Sequence, residues 1–266
     1  MTGTQSLMEL LADQPDVDST GWFGQLWDIT RELSQKLTAR FEVHPDGSTA
    51  QFASYTSRDG NARGSLNTFT GPEIDWLVHA HIGNPKHSFT NMHFTVWLGP
   101  QTNAPHFGMA LGTMPDIFLY FDYVPRVDLM VDLEYLDRYY EPVSAKWREF
   151  QDNPNYRPFV SRTIYMRQAV SQTGFVYLVK PSAQAITEIR DLAHWMFDGF
   201  LHNVNTAPPT PEHARPALAA RDLHIRRTVA ERDPANVVGE QLFGKEMADQ
   251  LVRGLWGGDR LTARPQ

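Results

Sequence analysis

Histidines are concentrated in one short part of the sequence. Five of the ten histidines in the 266-residue chain are His79, His81, His87, His93 and His106. Imidazole is the commonest metal ligand among side chains, and its ordinary pKa is close to neutrality. The cluster therefore indicates either a metal centre or an acid–base site, beside the ordinary alternative of sheet histidines that hydrogen-bond to backbone or water.

The metal interpretation rests on His79 and His81. An extended strand would place both side chains on one face, and a third ligand could come from His93 or His106 on neighbouring strands. In cupin metal sites, however, a His-x-His pair is followed closely by a carboxylate, and "HAHIGNPKH" contains none. We therefore predict that the protein binds no metal ion.

The acid–base interpretation places His93 and Thr95 on one strand face. If the hairpin "HFTVWLGPQTNAPHFGMALG" closes about "QT", we expect Thr95 opposite Ala110 and His93 opposite Gly112. A two-residue slip would keep this face, whereas a one-residue slip would reverse it. A histidine on this face could exchange protons with a substrate lying over the hairpin.

Composition narrows the class of protein. The chain is 41% hydrophobic and 12% aromatic, which is typical of a globular domain. A net charge of −7 argues against broad nucleic-acid binding, and the absence of cysteine excludes disulfides and thiolate ligands within this chain. No run approaches the roughly 18 apolar residues of a membrane span, and no signal peptide is evident, so we expect a cytoplasmic protein.

The elements that must position these residues follow from the periodicity. Strands are predicted over 49–57, 64–71, 73–82, 91–99, 106–112, 116–125 and 174–179. Helices are predicted from near Gln25 to Phe41, over 132–152 with a break at Pro142, over 182–204 with Ser182 as N-cap, and over 244–258. Residues 205–216 form a Pro-rich loop. We expect a flexible arm over 1–20 and a single domain over 21–260, of the α+β class, with one antiparallel sheet covered by helices.

Four segments resemble the red chlorophyll catabolite reductases, of the ferredoxin-dependent bilin reductase superfamily. They are "NAPHFGMALG…DIFLYFDYVPRVDLMVDLEYLDRYYE" (103–141), "YRPFVSRTIYMRQAVSQTG" (156–174), "RDLHIRRTVAERD" (221–233) and "QLFGKEMADQLVRGLWG" (241–257). The resemblance implies an α/β/α sandwich whose central antiparallel sheet carries helices on both faces. It also implies an open-chain tetrapyrrole held between the sheet and the C-terminal helices, ferredoxin as electron donor, and no bound flavin, metal or nicotinamide cofactor.

The resemblance also implies roles for single residues. The family carries an acidic proton donor two residues after the glycine of P-x-F-G, where this chain has Ala110. Its second acid corresponds to Asp233, and a histidine of some members falls near His93. We predict His93, His106 and Asp233 as the catalytic residues. The predicted substrate-binding residues are His79, His81, Thr95, Phe107, Ala110, Arg226 and Arg227.

We expect His93, His106 and Asp233 to converge on one cavity. Pro234 biases Asp233 toward extended backbone, which would place its carboxylate in a loop and not inside a helix. A carboxylate beside a histidine raises the pKa of the imidazole, so the pair could share one proton. The alternative is that Asp233 caps a helix or pairs with Arg226 or Arg227.

Three functions remain open at this stage. The first is a reductase of the red chlorophyll catabolite or bilin type in which a histidine or Asp233 replaces the lost acid. The second is a cofactor-independent acid–base enzyme, a carbon–carbon lyase or isomerase acting on a phenolic molecule. The third is a non-catalytic protein that binds an aromatic ligand. The expected partners are a small conjugated substrate and, for a reductase, ferredoxin; nucleic acid and membrane are not expected, and a homodimer is left open.

Overall fold

The computed structural model describes residues 4–12 and 15–258. Its helices are α1 (Leu7–Ala12), α2 (Thr20–Arg40), α3 (Leu133–Tyr139), α4 (Glu141–Gln151), α5 (Ile164–Ala169), α6 (Ala183–Thr206), α7 (Arg215–Arg232), α8 (Asn236–Phe243) and α9 (Lys245–Trp256). Its strands are β1 (His44–Pro45), β2 (Tyr55–Thr56), β3 (Arg63–Thr70), β4 (Ile74–Gly83), β5 (Thr90–Leu98), β6 (His106–Thr113), β7 (Ile117–Val124), β8 (Tyr156–Pro158) and β9 (Phe175–Val179). None of these helices is long and apolar enough to cross a membrane.

One sheet forms the middle of the molecule. Its strand order is β1-β3-β4-β5-β6-β7-β9-β8, β2 pairs with β3, and every pairing between named strands is antiparallel. Short turns connect β3 to β7 in sequence order, as expected for a meander of adjacent antiparallel strands. The predicted α+β class is confirmed.

Helices cover both faces of this sheet. On one face, apolar residues of α2 and α6 such as Leu33 and Phe197 pack in one cluster with Phe94 and Leu119 of the sheet. On the other face, Leu251 of α9 packs in a separate cluster with strand residues of β3, β4 and β5. The side chains of a strand alternate between faces, so each strand contributes to both layers. This is the predicted α/β/α sandwich.

Local signals explain where several elements begin. Ser182 caps α6 by accepting the Ala185 N–H at 3.0 Å, as predicted. Helix α2 begins five residues before the predicted Gln25, because the Asp18 carboxylate accepts the Thr20 N–H at 2.9 Å. The predicted strand over 49–57 is confirmed only at Tyr55–Thr56, since Asp46 accepts the Ser48 N–H at 3.0 Å and starts a 3₁₀ helix over 47–52.

Four helices, α1, α5, α7 and α8, were not predicted. The chain forms α7 where the sequence suggested only a Pro-rich loop followed by an unassigned segment, and α8 follows it directly. The predicted interruption near Pro142 is confirmed, because α3 ends at Tyr139 and α4 begins at Glu141. Helix α7 matters for function because its last residue precedes Asp233.

The described part of the N-terminal segment contacts the sheet layer. The Val17 N–H donates to the Ser88 hydroxyl at 2.6 Å, and the Ser19 hydroxyl lies 3.0 Å from that of Thr113. Nearer the N-terminus, the Gln5 N–H donates to the Val160 carbonyl at 2.8 Å. These described residues therefore hydrogen-bond to the body of the protein, and the flexible arm over 1–20 stays a prediction. The division of the chain at residue 20 stays a prediction.

Candidate functional site

The register between β5 and β6 decides which side chains are neighbours. His93 pairs with Ala110, and on its other side Ala110 pairs with Tyr120 of β7. The predicted pairing of His93 with Gly112 is wrong by two residues, and such a slip keeps the same face. Ala110, where the family resemblance implied an acid, therefore lies between His93 and Tyr120 in one row across the sheet.

A cavity of about 430 Å³ lies over this row, on the face covered by α7. Its size falls within the range of small-molecule sites. Its walls are mainly aromatic and aliphatic, with a few polar groups. The lining includes Asn91, His93, Thr95, Ala110, Tyr120, Trp147, Phe159, Ser171, Val229 and Asp233. A narrower extension of about 80 Å³ continues from His93 and Asp233 toward α8 and α9.

Asp233 reaches the cavity because α7 ends beside it. It is the C-terminal capping residue of α7, with φ −64° and ψ 120°, so the predicted extended backbone is confirmed. Pro234 disfavours helical geometry at this position. The Asp233 carboxylate accepts the Ala235 N–H at 2.8 Å, which orients it at the start of the next turn.

His93 and Asp233 share one wall of the cavity, and their electrostatics are linked. Burial lowers the pKa of His93, and the Asp233 carboxylate acts against this effect. Burial also raises the pKa of Asp233. The net lowering at His93 contradicts the predicted rise, because loss of solvent outweighs the attraction of the carboxylate. The two pKa values shift toward one another, and burial favours the uncharged form of each group.

Asn91 lies beside this pair. Its amide nitrogen is 3.2 Å from Nε2 of His93, and it lines the cavity as well. Its buried Oδ1 has no hydrogen-bond partner among the described residues. Buried amide oxygens are usually hydrogen-bonded, so this oxygen is suited to accept an N–H of a bound ligand.

His79 and His81 of β4, which were also predicted as site residues, point to the face of the sheet opposite the cavity. His79 stacks on Trp27 of α2, with ring centroids 4.4 Å apart, and its Nε2 is 2.9 Å from the Thr30 hydroxyl. The ring of His81 contacts Trp27 and Phe23. Burial lowers the pKa of His79 to about 4 and also lowers that of His81. Ala80 is the residue of β4 that pairs with His93, so neither His79 nor His81 lines the cavity of about 430 Å³, and His81 lines only its narrow extension. Their predicted role in substrate binding stays a prediction.

His106 shares the sheet face of His93 but does not line the cavity, so the predicted three-residue convergence holds only for His93 and Asp233. The Leu98 N–H donates to Nδ1 of His106 at 3.0 Å, and Nε2 lies 3.3 Å from the Asp222 carboxylate. Burial, together with nearby Arg126, lowers the pKa of His106 to about 4. An Nδ1 that accepts a backbone N–H belongs to a neutral ring, so His106 is a structural residue here.

Arg126 is the centre of this buried network. Its Nη2 donates to Asp222 at 2.6 Å, and its other contacts are the carbonyls of Gly99 and Thr102. Burial raises the pKa of Asp222, but its contacts with His106 and Arg126 hold it below the ordinary value. The network fixes the turn between β5 and β6, which explains the arginine of the "VPRVDLM" segment.

Three further predicted site residues lie outside the cavity. Phe107 is 0% exposed, and its ring contacts Phe197 and Phe200 of α6 on the opposite face. Arg226 pairs with Asp75 at 2.8 Å, and Arg227 pairs with Glu231 at 2.8 Å. Their predicted substrate contacts are therefore not supported. The proposed pairing of Asp233 with either arginine is also absent among the described contacts.

Sequence reasoning missed several polar residues at the cavity, Asn91 among them. Tyr120 and Ser171 line it, and Arg167 lies at its rim, where its Nη1 donates to the carbonyls of Ser161 and Arg162. The buried carboxyl of Asp122 lies next to Ser171. Tyr120 and Asp122 could have been found by counting alternate residues of β7 from the partner of Ala110, had that pairing been known.

Neither a metal site nor a second ligand-binding site is evident among the described residues. Among the described residues, no group of three or more His, Asp and Glu side chains could hold a metal ion, and the predicted absence of metal stays a prediction. A second depression, of about 480 Å³, lies between the 3₁₀ helix 47–52 and α9. Its lining contains no histidine and none of the predicted site residues.

The sequence of the chain is similar to those of known proteins. The family described as red chlorophyll catabolite reductase (RCC reductase) matches residues 26–256. Red chlorophyll catabolite reductase 1, chloroplastic, of Oryza sativa subsp. japonica is 25% identical over 250 residues, which cover 85% of this chain and 75% of the rice protein. Red chlorophyll catabolite reductase of Hordeum vulgare is 23% identical over 197 residues, 67% of this chain and 94% of the barley protein.

A solved structure has the same fold. The crystal structure of phytochromobilin synthase from tomato, in complex with biliverdin, matches with a TM-score of 0.75 at 14% sequence identity. The match covers 90% of this chain and 85% of the tomato chain.

Proposed function

This chain belongs to the red chlorophyll catabolite reductase family, and on that premise we propose that it reduces an open-chain tetrapyrrole in the cavity of His93 and Asp233, with electrons from a ferredoxin. One observation carries the proposal. A cavity with aromatic walls and a histidine–carboxylate pair lies between the sheet and α7, in a fold whose tomato representative was crystallised with biliverdin. A flat conjugated molecule matches such walls, because aromatic faces stack on it.

The polar groups of the cavity match the chemistry of a tetrapyrrole. Its pyrrole and lactam N–H groups need acceptors, and Oδ1 of Asn91 is a buried oxygen available for one of them. Its propionate carboxylates need cations, and Arg167 lies at the rim of the cavity. Thr95 and Tyr120 add hydroxyl groups on either side of Ala110.

The reaction needs two electrons and two protons for each double bond reduced. A ferredoxin delivers one electron at a time, so each electron leaves an added negative charge on the tetrapyrrole that a proton neutralises. The His93–Asp233 pair holds a proton at the cavity wall, where burial favours its neutral form. Transfer of that proton to the substrate leaves the Asp233 carboxylate beside a neutral imidazole, and the pair regains the proton from solvent.

The test is anaerobic turnover with reduced ferredoxin. Biliverdin and a chlorophyll-derived open-chain tetrapyrrole should each bind with a change in absorbance, and at least one should be reduced. His93→Gln and Asp233→Asn should lower the rate about 10²- to 10⁴-fold, because a positioned proton donor contributes that much. Their melting temperatures and binding affinities should remain close to those of the unmodified protein.

A matched control separates this effect from general damage. His202→Ala changes an exposed histidine of α6, on the other side of the sheet, and should not alter the rate. If no tetrapyrrole changes its absorbance in the presence of the protein, or none is reduced with any ferredoxin, the proposal is wrong.

A cofactor-independent acid–base reaction is the second candidate. The observation that favours it is Ala110, because a methyl group lies beside His93 at the position where the family resemblance implies a proton donor. The linked pKa values of His93 and Asp233 also suit proton abstraction from a phenol. Turnover of a phenolic substrate without any electron donor would favour this candidate, and gene neighbours for aromatic catabolism would name substrates to try.

A further inference from the structure

A second buried carboxyl group lies on the face of the sheet that carries the cavity. Asp122 of β7 pairs with Gly108 of β6, two residues from Tyr120 and on the same face. It is 0% exposed and accepts two hydrogen bonds from Ser171, at 2.7 Å from the N–H and 2.5 Å from the hydroxyl. No Lys, Arg or His of the described part of the chain forms an ion pair with it.

The surroundings of Asp122 favour its protonated form. The titratable groups that face it are the phenols of Tyr120 and Tyr140. Burial raises the pKa of Asp122 to about 7, against the opposing hydrogen bonds from Ser171 and the Tyr123 backbone. A buried acid without a cation that titrates near neutrality is unusual for a residue with only a structural role.

Two of the groups that cover Asp122 also line the cavity. Ser171 faces the cavity and hydrogen-bonds to the carboxyl. The Tyr120 hydroxyl lies over Gly108, 3.0 Å from where a β-carbon at that position would stand. Gly174 completes the cover, since its β-carbon would stand 3.1 Å from Oδ2 of Asp122. The Ser171 hydroxyl therefore links the buried Asp122 carboxyl to the cavity.

We propose that Asp122, acting through the Ser171 hydroxyl, is a second proton source of the cavity and takes the place of the acid absent at Ala110. This inference rests on the proposed reductase function. The His93–Asp233 pair holds one proton, whereas the reduction of one double bond consumes two, and the resemblance implied an acid at 110 for the other. Asp122 pairs with Gly108, which is two residues from Ala110 along β6 and on the same face of the sheet.

The proposed step is a proton relay. After the ferredoxin gives one electron to the tetrapyrrole, the O–H bond of Ser171 breaks as a new bond to hydrogen forms on the substrate. With Asp122 ionised, the Ser171 hydroxyl donates to it; with Asp122 protonated, the same 2.5 Å hydrogen bond runs from the Asp122 O–H to the Ser171 oxygen, so the serine O–H can point to the substrate. The Ser171 oxygen takes the proton of the Asp122 carboxyl in the same step, so the serine is unchanged and Asp122 becomes a carboxylate. Asp122 regains a proton from solvent after the product leaves, and no oxidant or reductant beyond the ferredoxin is required.

The first test is single-turnover reduction followed by stopped-flow absorbance and electron paramagnetic resonance over a range of pH. In Asp122→Asn and Ser171→Ala, one protonation step should slow by about 10²-fold. The substrate should still accept an electron, so its one-electron-reduced radical should accumulate. The loss of rate near pH 7 that titration of Asp122 gives the unmodified protein should disappear, and Ser171→Thr should restore most of the rate.

Thr173→Val is the matched control, because Thr173 lies in the same turn and its hydroxyl is 3.5 Å from that of Ser171 without a contact to Asp122. It should leave the pH profile and the radical unaffected. If Asp122→Asn and Ser171→Ala lower the melting temperature but keep the rate of protonation and its pH profile, Asp122 only braces the 171–174 turn and the proposal is overturned.

A second measurement needs no turnover. Infrared difference spectra, recorded as biliverdin binds at neutral pH, should show the carbonyl stretch of a protonated carboxyl shift, and that signal should be missing in Asp122→Asn and displaced in Ser171→Ala. If the unmodified protein binds biliverdin but reduces no tetrapyrrole, the proposed function fails while this shift still places Asp122 in contact with the ligand through Ser171. A spectrum without the shift overturns the Asp122 inference even if reduction proceeds.

Discussion

The buried carboxyl of Asp122 should make the stability of the protein depend on pH in a specific way. In the unfolded chain its pKa should be near the ordinary value of 3.8, and in the folded protein burial raises that pKa to about 7. Between these values the folded protein keeps a proton that the unfolded chain has lost. The free energy of unfolding should therefore fall by about 1.4 kcal/mol for each pH unit, about 4 kcal/mol in total.

The sign follows from the direction of the shift. A raised pKa in the folded state stabilises the protein fully below pH 3.8, and this contribution is lost as the pH rises to about 7. The amide of Asp122→Asn does not ionise, so the free energy of unfolding of this variant should lack the fall with pH that Asp122 causes. The assay is urea denaturation of both proteins at several pH values between about 4 and about 8.

The quantity to compare is the difference in the free energy of unfolding between the two proteins. The other titrating groups, including His93 and Asp233, are common to both proteins and largely cancel. At low pH the protonated carboxyl and the asparagine amide each offer one acceptor and one donor group to Ser171, so the substitution should change stability there by no more than about 1 kcal/mol. This offset does not change with pH. Parallel stability curves across the whole range would refute the reasoning, because they would mean that Asp122 ionises at its ordinary pKa.

Four other outcomes are expected. Ala110→Glu should raise the rate of reduction of a chlorophyll-derived tetrapyrrole, by up to about 10²-fold in stopped-flow assays; an unchanged rate would mean that no proton enters beside this position. Arg126→Met, which leaves buried Asp222 without its guanidinium partner, should lower the free energy of unfolding in urea by about 3–5 kcal/mol; a loss below about 1 kcal/mol contradicts the network. Phe107→Ala should lower the free energy of unfolding by about 3–5 kcal/mol, with little change in tetrapyrrole affinity; a larger effect on affinity than on stability would mean that the Phe107 ring contacts the substrate. Elemental analysis should find no stoichiometric transition metal, and about one zinc, iron or manganese per chain would revive the histidine pair of β4.

The sequence alone determined the sheet and part of the site. Its short strand-like runs, bounded by Gly, Pro and Asn, indicated an antiparallel meander because such runs are joined most simply by hairpins. The alternation of side chains along a strand placed His93 and Thr95 on the same face of the sheet at any register. A slip by an even number of residues also leaves that pair facing the same side. Pro234 indicated extended backbone at Asp233 because it excludes helical geometry before it. Each of these inferences depends on the chain within a few residues of the position concerned.

Helix α7 escaped detection because two of its three buried positions are charged and the third is an alanine. Its buried residues are Asp222, Arg226 and Ala230, so no apolar stripe marks the face that packs on the sheet. The ion pairs that make this burial possible come from Arg126 and Asp75, which are distant in sequence. The helix that carries Asp233 to the cavity could therefore be recognised only once the fold had brought its partners together.

The tertiary structure also decided which histidine could do chemistry. His79, His81 and His93 look equivalent in the sequence, because each is one of a row of alternating residues in a strand. The pairing of β4 with β5 sets Ala80 beside His93, which turns His79 and His81 toward α2 and His93 toward Asp233. Register depends on how two strands align across space, and a shift of one residue exchanges the faces, so the sequence of either strand by itself could not fix it.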